Sequence, residues 1–400
     1  MTPRALRRTL YAAAFLRALA IGLMAVLIGL YTARLGFSAP QIGAVLSAAL
    51  WGAALAAALT LFVGHRFPQR SLLVVLAALP ALGAVILLAA EAFTVVLAAA
   101  FVGMFNVHGR DRGAIPILEQ ALLPLTATDA ERTRAFAWYN VLLDSGYAGG
   151  GLLAALPTLF EQALGLDTVT AMRWAIALFC ALYGAAAILY ARLPAAIPRA
   201  ESVALTRLSP GSRPIVAKIS ALFFIDAFGG GFIGSALFAY YFSEQFAVSA
   251  ALVAVLFATG RVLSALSHFA AAWLARRIGL VNTMVYTHIP SSLLLFSIVA
   301  TDTFWLAALL FLVREGLNEM DVPTRQSYVM AVVRPEERLA AAGATSLVRS
   351  GGWAAAPVFA GMLMQAGGLG LPLVFAGVTK IAYDLLLWRE FRKVKPPEES

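Results

Sequence analysis

Residues 71–90 read SLLVVLAALPALGAVILLAA, an uninterrupted apolar run with no charge in it. A helix rises about 1.5 Å per residue, so about 20 such residues match the roughly 30 Å of hydrocarbon in a bilayer. Comparable runs recur along the chain with charge confined to the punctuation between them. They place spans at 9–32, 40–63, 71–90, 93–122, 135–160, 168–191, 215–242, 249–273, 281–300, 304–332, 339–366 and 370–388. Lipid offers backbone amides no hydrogen bonds, and these runs lack the alternation of barrel strands, so each span is read as a helix. Composition agrees: 61% hydrophobic and 13% charged residues with a mean hydropathy of +0.83, against about 25% charged in soluble domains. The chain is read as an all-α integral membrane protein of 12 transmembrane helices.

The formal charge of +9 does not indicate nucleic acid, because the basic residues are distributed by side. Arg4, Arg7 and Arg8 precede the first span, and alternate loops collect Arg66, Arg70, Arg132, Arg134, Arg192, Arg213, Arg276, Arg277, Arg334, Arg338 and the Arg392-Lys393 tail. The opposite loops hold Arg34 and Arg173. By the positive-inside rule both termini are cytoplasmic, in a multi-pass protein of the inner membrane, and the number of spans is even. Ala18-Leu19-Ala20 mimics a signal-peptidase site, but the apolar stretch continues to Tyr31, so the first span is read as retained. Cys180, the single cysteine, lies within a span, which leaves no disulfide and no cysteine-based metal site.

The longest polar stretch, Arg192 to Pro214, carries Pro194, Pro198, Pro210 and Pro214 and divides the chain nearly in half. The halves repeat. At an offset of 206, Glu131-Arg132 answers Glu337-Arg338, Gln120 answers Gln326 and Gly146 answers Gly352; at 211, His65-Arg66 answers Arg276-Arg277. The expected organisation is a six-helix bundle over 1–191, a cytoplasmic linker over 192–214 and a second, parallel six-helix bundle over 215–400. Repeats of this kind build many secondary transporters.

Three motifs carry a resemblance. The loop after span 2 reads His65-Arg66-Phe67-Pro68-Gln69-Arg70, beside a pattern G-x-x-x-D-R-x-G-R-R, and its second copy is Arg276-Arg277-Ile278-Gly279. Span 5 has Gly146-Tyr147-Ala148-Gly149-Gly150-Gly151, and span 11 has Gly352, Pro357 and Gly361, beside a pattern G-x-x-x-G-P-x-x-G-G. The first loop lacks the pattern's aspartate and glycine, and span 5 lacks its proline. Small residues at this spacing also serve plain helix packing. The chain resembles the major facilitator superfamily over essentially its whole length, and looks like its drug/proton antiporter branch. The resemblance implies that His65, Arg66, Arg70, Arg276 and Arg277 form conformational-switch loops. It also implies that spans 1 and 7 line a central cavity.

Charges at membrane depth cost about 2.5–3.5 kcal/mol each on insertion scales, so they mark functional or paired positions. Arg314, Asn318, Asp321 and Arg325 fall at i, i+4, i+7 and i+11 on span 10, one helical face; span 4 carries His108, Arg112, Ile115 and Glu119 at the same spacing. Two facing stripes would line a cavity open to the cytoplasm. Asp226, beside Gly229-Gly230-Gly231, is paired with Arg17 as the leading coupling site, and Asp144 with Arg349 as a second pair across the halves. The proton-coupling candidates are therefore Asp226, His108, Glu315 and Asp144. The substrate-binding candidates are Arg17, Arg112, Arg314, Asn318, Asp321, Arg325 and Arg349. Each has a plainer reading as an ion pair or a helix-end charge.

Arginine's planar fork suits carboxylate or phosphate. The expected activity is therefore movement of a small anionic or zwitterionic solute by alternating access, coupled to protons, with sodium as the other ion an aspartate serves. The alternatives are a proton-driven multidrug efflux antiporter, a channel and a membrane-embedded enzyme. There is no H-E-x-x-H, G-x-S-x-G or Walker-type G-x-x-x-x-G-K, so no catalytic residue, cofactor or metal is assigned. The expected partners are the solute, the coupling ion and the lipid bilayer, with no nucleic acid, for a chain working as a monomer.

Overall fold

The computed structural model describes residues 2–109, 111, 113–127, 129–194, 209–318, 320, 333–334 and 337–391. These residues form helices and connections and include no strand. The helices are α1 (Pro3–Arg34), α2 (Ala39–Val63), α3 (Gln69–Ala89), α4 (Phe93–Gly103), α5 (Ala114–Leu122), α6 (Asp129–Leu153), α7 (Leu156–Leu164), α8 (Thr168–Ala191), α9 (Ser212–Gly231), α10 (Ser235–Phe246), α11 (Ala250–Ile278), α12 (Leu280–Val299), α13 (Phe304–Asn318), α14 (Arg338–Gly367) and α15 (Leu371–Phe391). Their ends follow local chemistry. Thr2 and Asp167 cap the first turns of α1 and α8 with side-chain oxygens, and Ser38 with Gln41 forms a capping box on α2.

Seven stretches among the described residues are helical, long and apolar enough to cross a membrane. Every expected span contains helix. Large apolar side chains point outward, Trp305 at 71% and Trp174 at 61% exposure, which suits lipid and not water.

Among the described residues three expected spans are interrupted, span 5 at Ala154–Ala155 between α6 and α7. Span 4 was read as one helix over 93–122, but α4 stops at Gly103 and α5 starts at Ala114. Between them Met104 and Gly109 take positive φ, +48° and +72°. Asn106 Oδ1 accepts the His108 N–H at 3.0 Å and Asp111 Oδ1 accepts the Gly113 N–H at 2.9 Å. Such turns offer the backbone an alternative to the helical ladder, and they fall in the polar stretch Asn106–Gly113. His108 and Glu119 therefore do not share one continuous helical face. Span 7 divides at Phe232–Gly234, directly after the helix-weakening Gly229-Gly230-Gly231.

The chain forms two compact units: unit 1 is Met1–Ser202 with Ser235–Ala258, and unit 2 is Val203–Gly234 with Thr259–Ser400. Residues 235–258, which the sequence repeat counts with the second half, thus cluster with unit 1. In unit 1 the most buried helix is α1, which packs against α6, α8 and α10. The seam with α6 is built on glycine: a Cβ at Gly150 would meet the Leu19 carbonyl oxygen at 2.0 Å, one at Gly22 the Tyr147 oxygen at 2.3 Å, and one at Gly146 the Ala18 Cβ at 2.5 Å. In unit 2, α9 packs against α14 and α15, and α12 against α13 and α15. There a Cβ at Gly231 would meet the Ala356 Cβ at 2.5 Å, and one at Gly352 the Phe224 oxygen at 2.9 Å. Gly146 and Gly352, partners in the sequence repeat, both sit on a close helix seam of their own unit.

Candidate functional site

Each unit contains a buried charge cluster of its own. In unit 1, Arg17 on α1 is completely buried. Its guanidinium forms ion pairs with Asp111 and Glu119, and its Nε donates to the Tyr190 hydroxyl at 2.9 Å. Glu119, also fully buried, further accepts from Tyr139 at 2.8 Å and from Tyr190 at 2.5 Å. The break in span 4 brings Asp111 to this place. Its N–H donates to the Tyr147 hydroxyl oxygen at 3.0 Å.

The same break meets the start of α10. The Ala236 N–H donates to the Val107 carbonyl at 3.1 Å and Ser235 Oγ donates to the His108 carbonyl at 3.2 Å. Two interrupted spans thus satisfy part of their freed backbone on one another. Irregular backbone at membrane depth is tolerated where protein buries it or where it lines an aqueous cavity, and it is a pointer to transporter binding sites.

In unit 2, Asp226 on α9 is 4% exposed. Its Oδ1 accepts from Lys380 Nζ at 3.0 Å, and its Oδ2 lies 3.6 Å from Arg349 Nη2. Lys380 Nζ also lies 3.0 Å from His288 Nε2, and His288 Nδ1 lies 3.0 Å from Asp384 Oδ1. The result is a continuous row, Arg349–Asp226–Lys380–His288–Asp384, drawn from α14, α9, α15 and α12. Trp353 closes its Arg349 end, with the guanidinium 4.5 Å from the ring centre. A separate group sits on α13: Arg314 donates to Glu315 at 2.5 Å and to Asn318 at 3.3 Å. Glu315 packs where a Cβ on Gly260 would come within 3.2 Å of its side chain.

The sequence paired Asp226 with Arg17. In the structure Arg17 is held by Asp111, Glu119 and Tyr190, and Asp226 by Lys380 and Arg349, each inside its own unit. Asp144 is half-buried on α6 of unit 1, while Arg349, its expected mate, is part of the unit 2 row. His108 belongs to the break in span 4. Arg112, Asp321 and Arg325 lie outside the described residues, as do the side chains of His65 and Arg276. Of the residues expected in switch loops, Arg66 is exposed in a short 3-10 turn, Arg70 is half-buried, and Arg277 lies over Trp273 at 4.5 Å.

Sequence reading missed His288, Lys380 and Asp384. The signal was there: Lys380 and Asp384 stand at i and i+4 within span 12, on one helical face, and an apolar span rarely carries two charges without a partner. At the loop end of α14, Glu337 accepts from Ser212 Oγ at 2.5 Å and from the Ser209 N–H at 2.6 Å. These bonds hold its carboxyl well below the usual range, at about 2. No group of three or more histidine, cysteine or acidic side chains among the described residues is arranged to hold a metal ion.

The profile of the Major Facilitator Superfamily matches residues 10–313 and 219–400. An uncharacterized membrane protein of Saccharomyces cerevisiae is 22% identical over 414 residues, covering 95% of this chain and 92% of that one. The solved nucleoside transporter NupG superposes with a TM-score of 0.75 at 17% identity, over 97% of this chain and 99% of its own. A bacterial homologue of the human lysosomal transporter Spinster, inward-facing and occupied, gives 0.72 at 15% identity, over 98% of each chain. The human organic anion transporter MFSD10 gives 0.60 at 16%, over 97% of this chain and 100% of its own. At these identities the solved structures speak to the fold alone.

Proposed function

The chain belongs to the Major Facilitator Superfamily, which makes it a multi-pass membrane transporter of small solutes and not an enzyme, and on that premise we propose that it moves a small anionic or zwitterionic solute by alternating access, driven by protons. The observation that carries the coupling is Asp226, a carboxylate buried in unit 2 between Lys380 and Arg349. A buried carboxylate persists as an anion while cations stay beside it, and neutralises by taking a proton when they leave. A conformational change that separates Asp226 from its cations therefore loads a proton, and the return releases it. His108, Glu315 and Asp144 are further proton candidates.

The solute's charge is argued from Arg17, Arg314, Arg349, Arg112 and Arg325, since guanidinium forks match planar oxyanions; Asn318 and Asp321 are further substrate-binding candidates that carry no such charge argument. Arg17 is already engaged by two carboxylates, so a solute anion reaches it only in exchange for one of them. Among the structural relatives, MFSD10 is an organic anion transporter and NupG a nucleoside transporter; the first fits the arginine content better. The basic loops argue for cytoplasmic termini in the inner membrane.

The test uses purified protein in liposomes loaded with a pH-sensitive dye. Small organic anions, then nucleosides, then lipophilic cations are added outside. The proposal expects proton flux with an organic anion. Flux confined to lipophilic cations replaces it with the drug/proton antiporter reading.

A further inference from the structure

The unit 2 row contains a group with no part in the argument for Asp226, the imidazole of His288, which is 2% exposed in the middle of α12. Its hydrogen bonds fix its protonation. Lys380 Nζ bears only donors, so at 3.0 Å His288 Nε2 must accept. The ring's proton then sits on Nδ1, where it donates to Asp384 Oδ1 at 3.0 Å. The ring is neutral in this arrangement. Asp384 is completely buried, and its Oδ2 has no hydrogen-bond partner among the described residues. Its carboxylate meets the ring directly, with the Lys380 ammonium on the far side of that ring.

We propose that the His288–Asp384 pair is a second proton site, and that Lys380 is the cation that gives way when it fills. One proton from hydronium binds His288 Nε2: an N–H bond forms as the hydronium O–H bond breaks, a water molecule leaves, and the ring becomes imidazolium. Nε2–H and the ammonium then point donors at each other across 3.0 Å, so Lys380 leaves the ring. The imidazolium is left between two carboxylates, Asp384 at 3.0 Å and Asp226 at 4.0 Å. Lys380 keeps its own three protons throughout. The site thus links ring protonation to the Lys380–Asp226 bond on which coupling was argued to depend. In this respect the inference rests on the proton-driven reading.

Charged and titratable groups among the described residues face the ring from the elements packed around it. They are Asp226 on α9, Lys380 and Asp384 on α15 with Tyr383 edge-on at 6.2 Å, and Arg349 on α14 reaching it through Asp226. On α13 the described charges, Arg314 and Glu315, pair with one another.

The chain has only four histidines, so nitrogen NMR on the histidine-labelled protein in bilayers resolves single rings without any solute. His288→Gln assigns the signal. Replacing His65, His108 and His268 by Gln, leaving His288 alone, assigns it if the first variant does not fold. The expected result is a neutral ring with its proton on Nδ1 at pH 8 that becomes imidazolium on acidification while the protein stays folded. A proton on Nε2 at pH 8, or a ring neutral down to pH 4.5, overturns the proposal. Solute-driven proton flux is measured alongside. Flux with a ring that never charges sinks this site alone, whereas a charging ring without flux sinks the coupling reading and leaves the site.

Discussion

Arg17 and Glu119 are both completely buried, yet neither is short of partners, because each side chain is matched donor to acceptor by Asp111, Tyr139 and Tyr190. Breaking a buried pair by removing one charge costs about 3–5 kcal/mol, while losing one hydrogen bond to a charged group costs about 1.5–3 kcal/mol. Glu119→Gln is therefore expected to lower the melting temperature in detergent more than Tyr190→Phe does; the reverse order would mean that Glu119 is not the centre of the cluster. Glu337 gives a pH signature. Its folded carboxyl, at about 2, lies below the ordinary 4.5, so the stability it contributes is complete above about pH 4.5 and is lost as pH falls towards 2. The gap in melting temperature between the native protein and Glu337→Gln should be open at pH 6 and closed near pH 2. At this scale the sequence shows which residues are expensive, since Arg17, Asp226 and Arg349 stand out in apolar runs. It does not show who meets whom, because Asp226 finds Lys380 across 154 positions and hydropathy carries no such information.

The helices themselves were legible wherever hydropathy alone decides them. The expected span 168–191 coincides with α8, and 71–90 differs from α3 by a residue or two. The break in span 4 was not, since the turns at Asn106 and Asp111 are made by single side-chain hydrogen bonds within a short polar stretch that leaves the apolar pattern on either side intact. Close packing was partly legible: the repeat pointed to Gly146 and Gly352, and both lie on seams where a methyl group has no room. Gly150→Ala would place its Cβ 2.0 Å from the Leu19 oxygen, whereas one at Gly184 on α8 meets nothing within 4 Å. Overpacking of this kind costs about 1–3 kcal/mol or more. Gly150→Ala should therefore reduce the yield of monodisperse protein and its melting temperature, and Gly184→Ala should leave both near the native values. Equal behaviour would remove the α1–α6 seam from the account.

For the whole molecule, outward Trp174 and Trp305, an all-helical chain and the family match agree on a multi-pass transporter. Composition foretold that class because lipid admits few solutions for a backbone. The assignment of residues 235–258 to unit 1 was not foreseeable, as it reflects the packing of α10 on α1, beside which Ser235 and Ala236 bond to the break in span 4. The proposed proton coupling turns on Asp226. The most direct measurement compares native protein with Asp226→Asn in liposomes, following uphill solute accumulation under an imposed proton gradient, with folding and insertion checked in parallel. The account predicts that Asp226→Asn is folded and inserted but accumulates no solute against its gradient. Full accumulation by Asp226→Asn would contradict it.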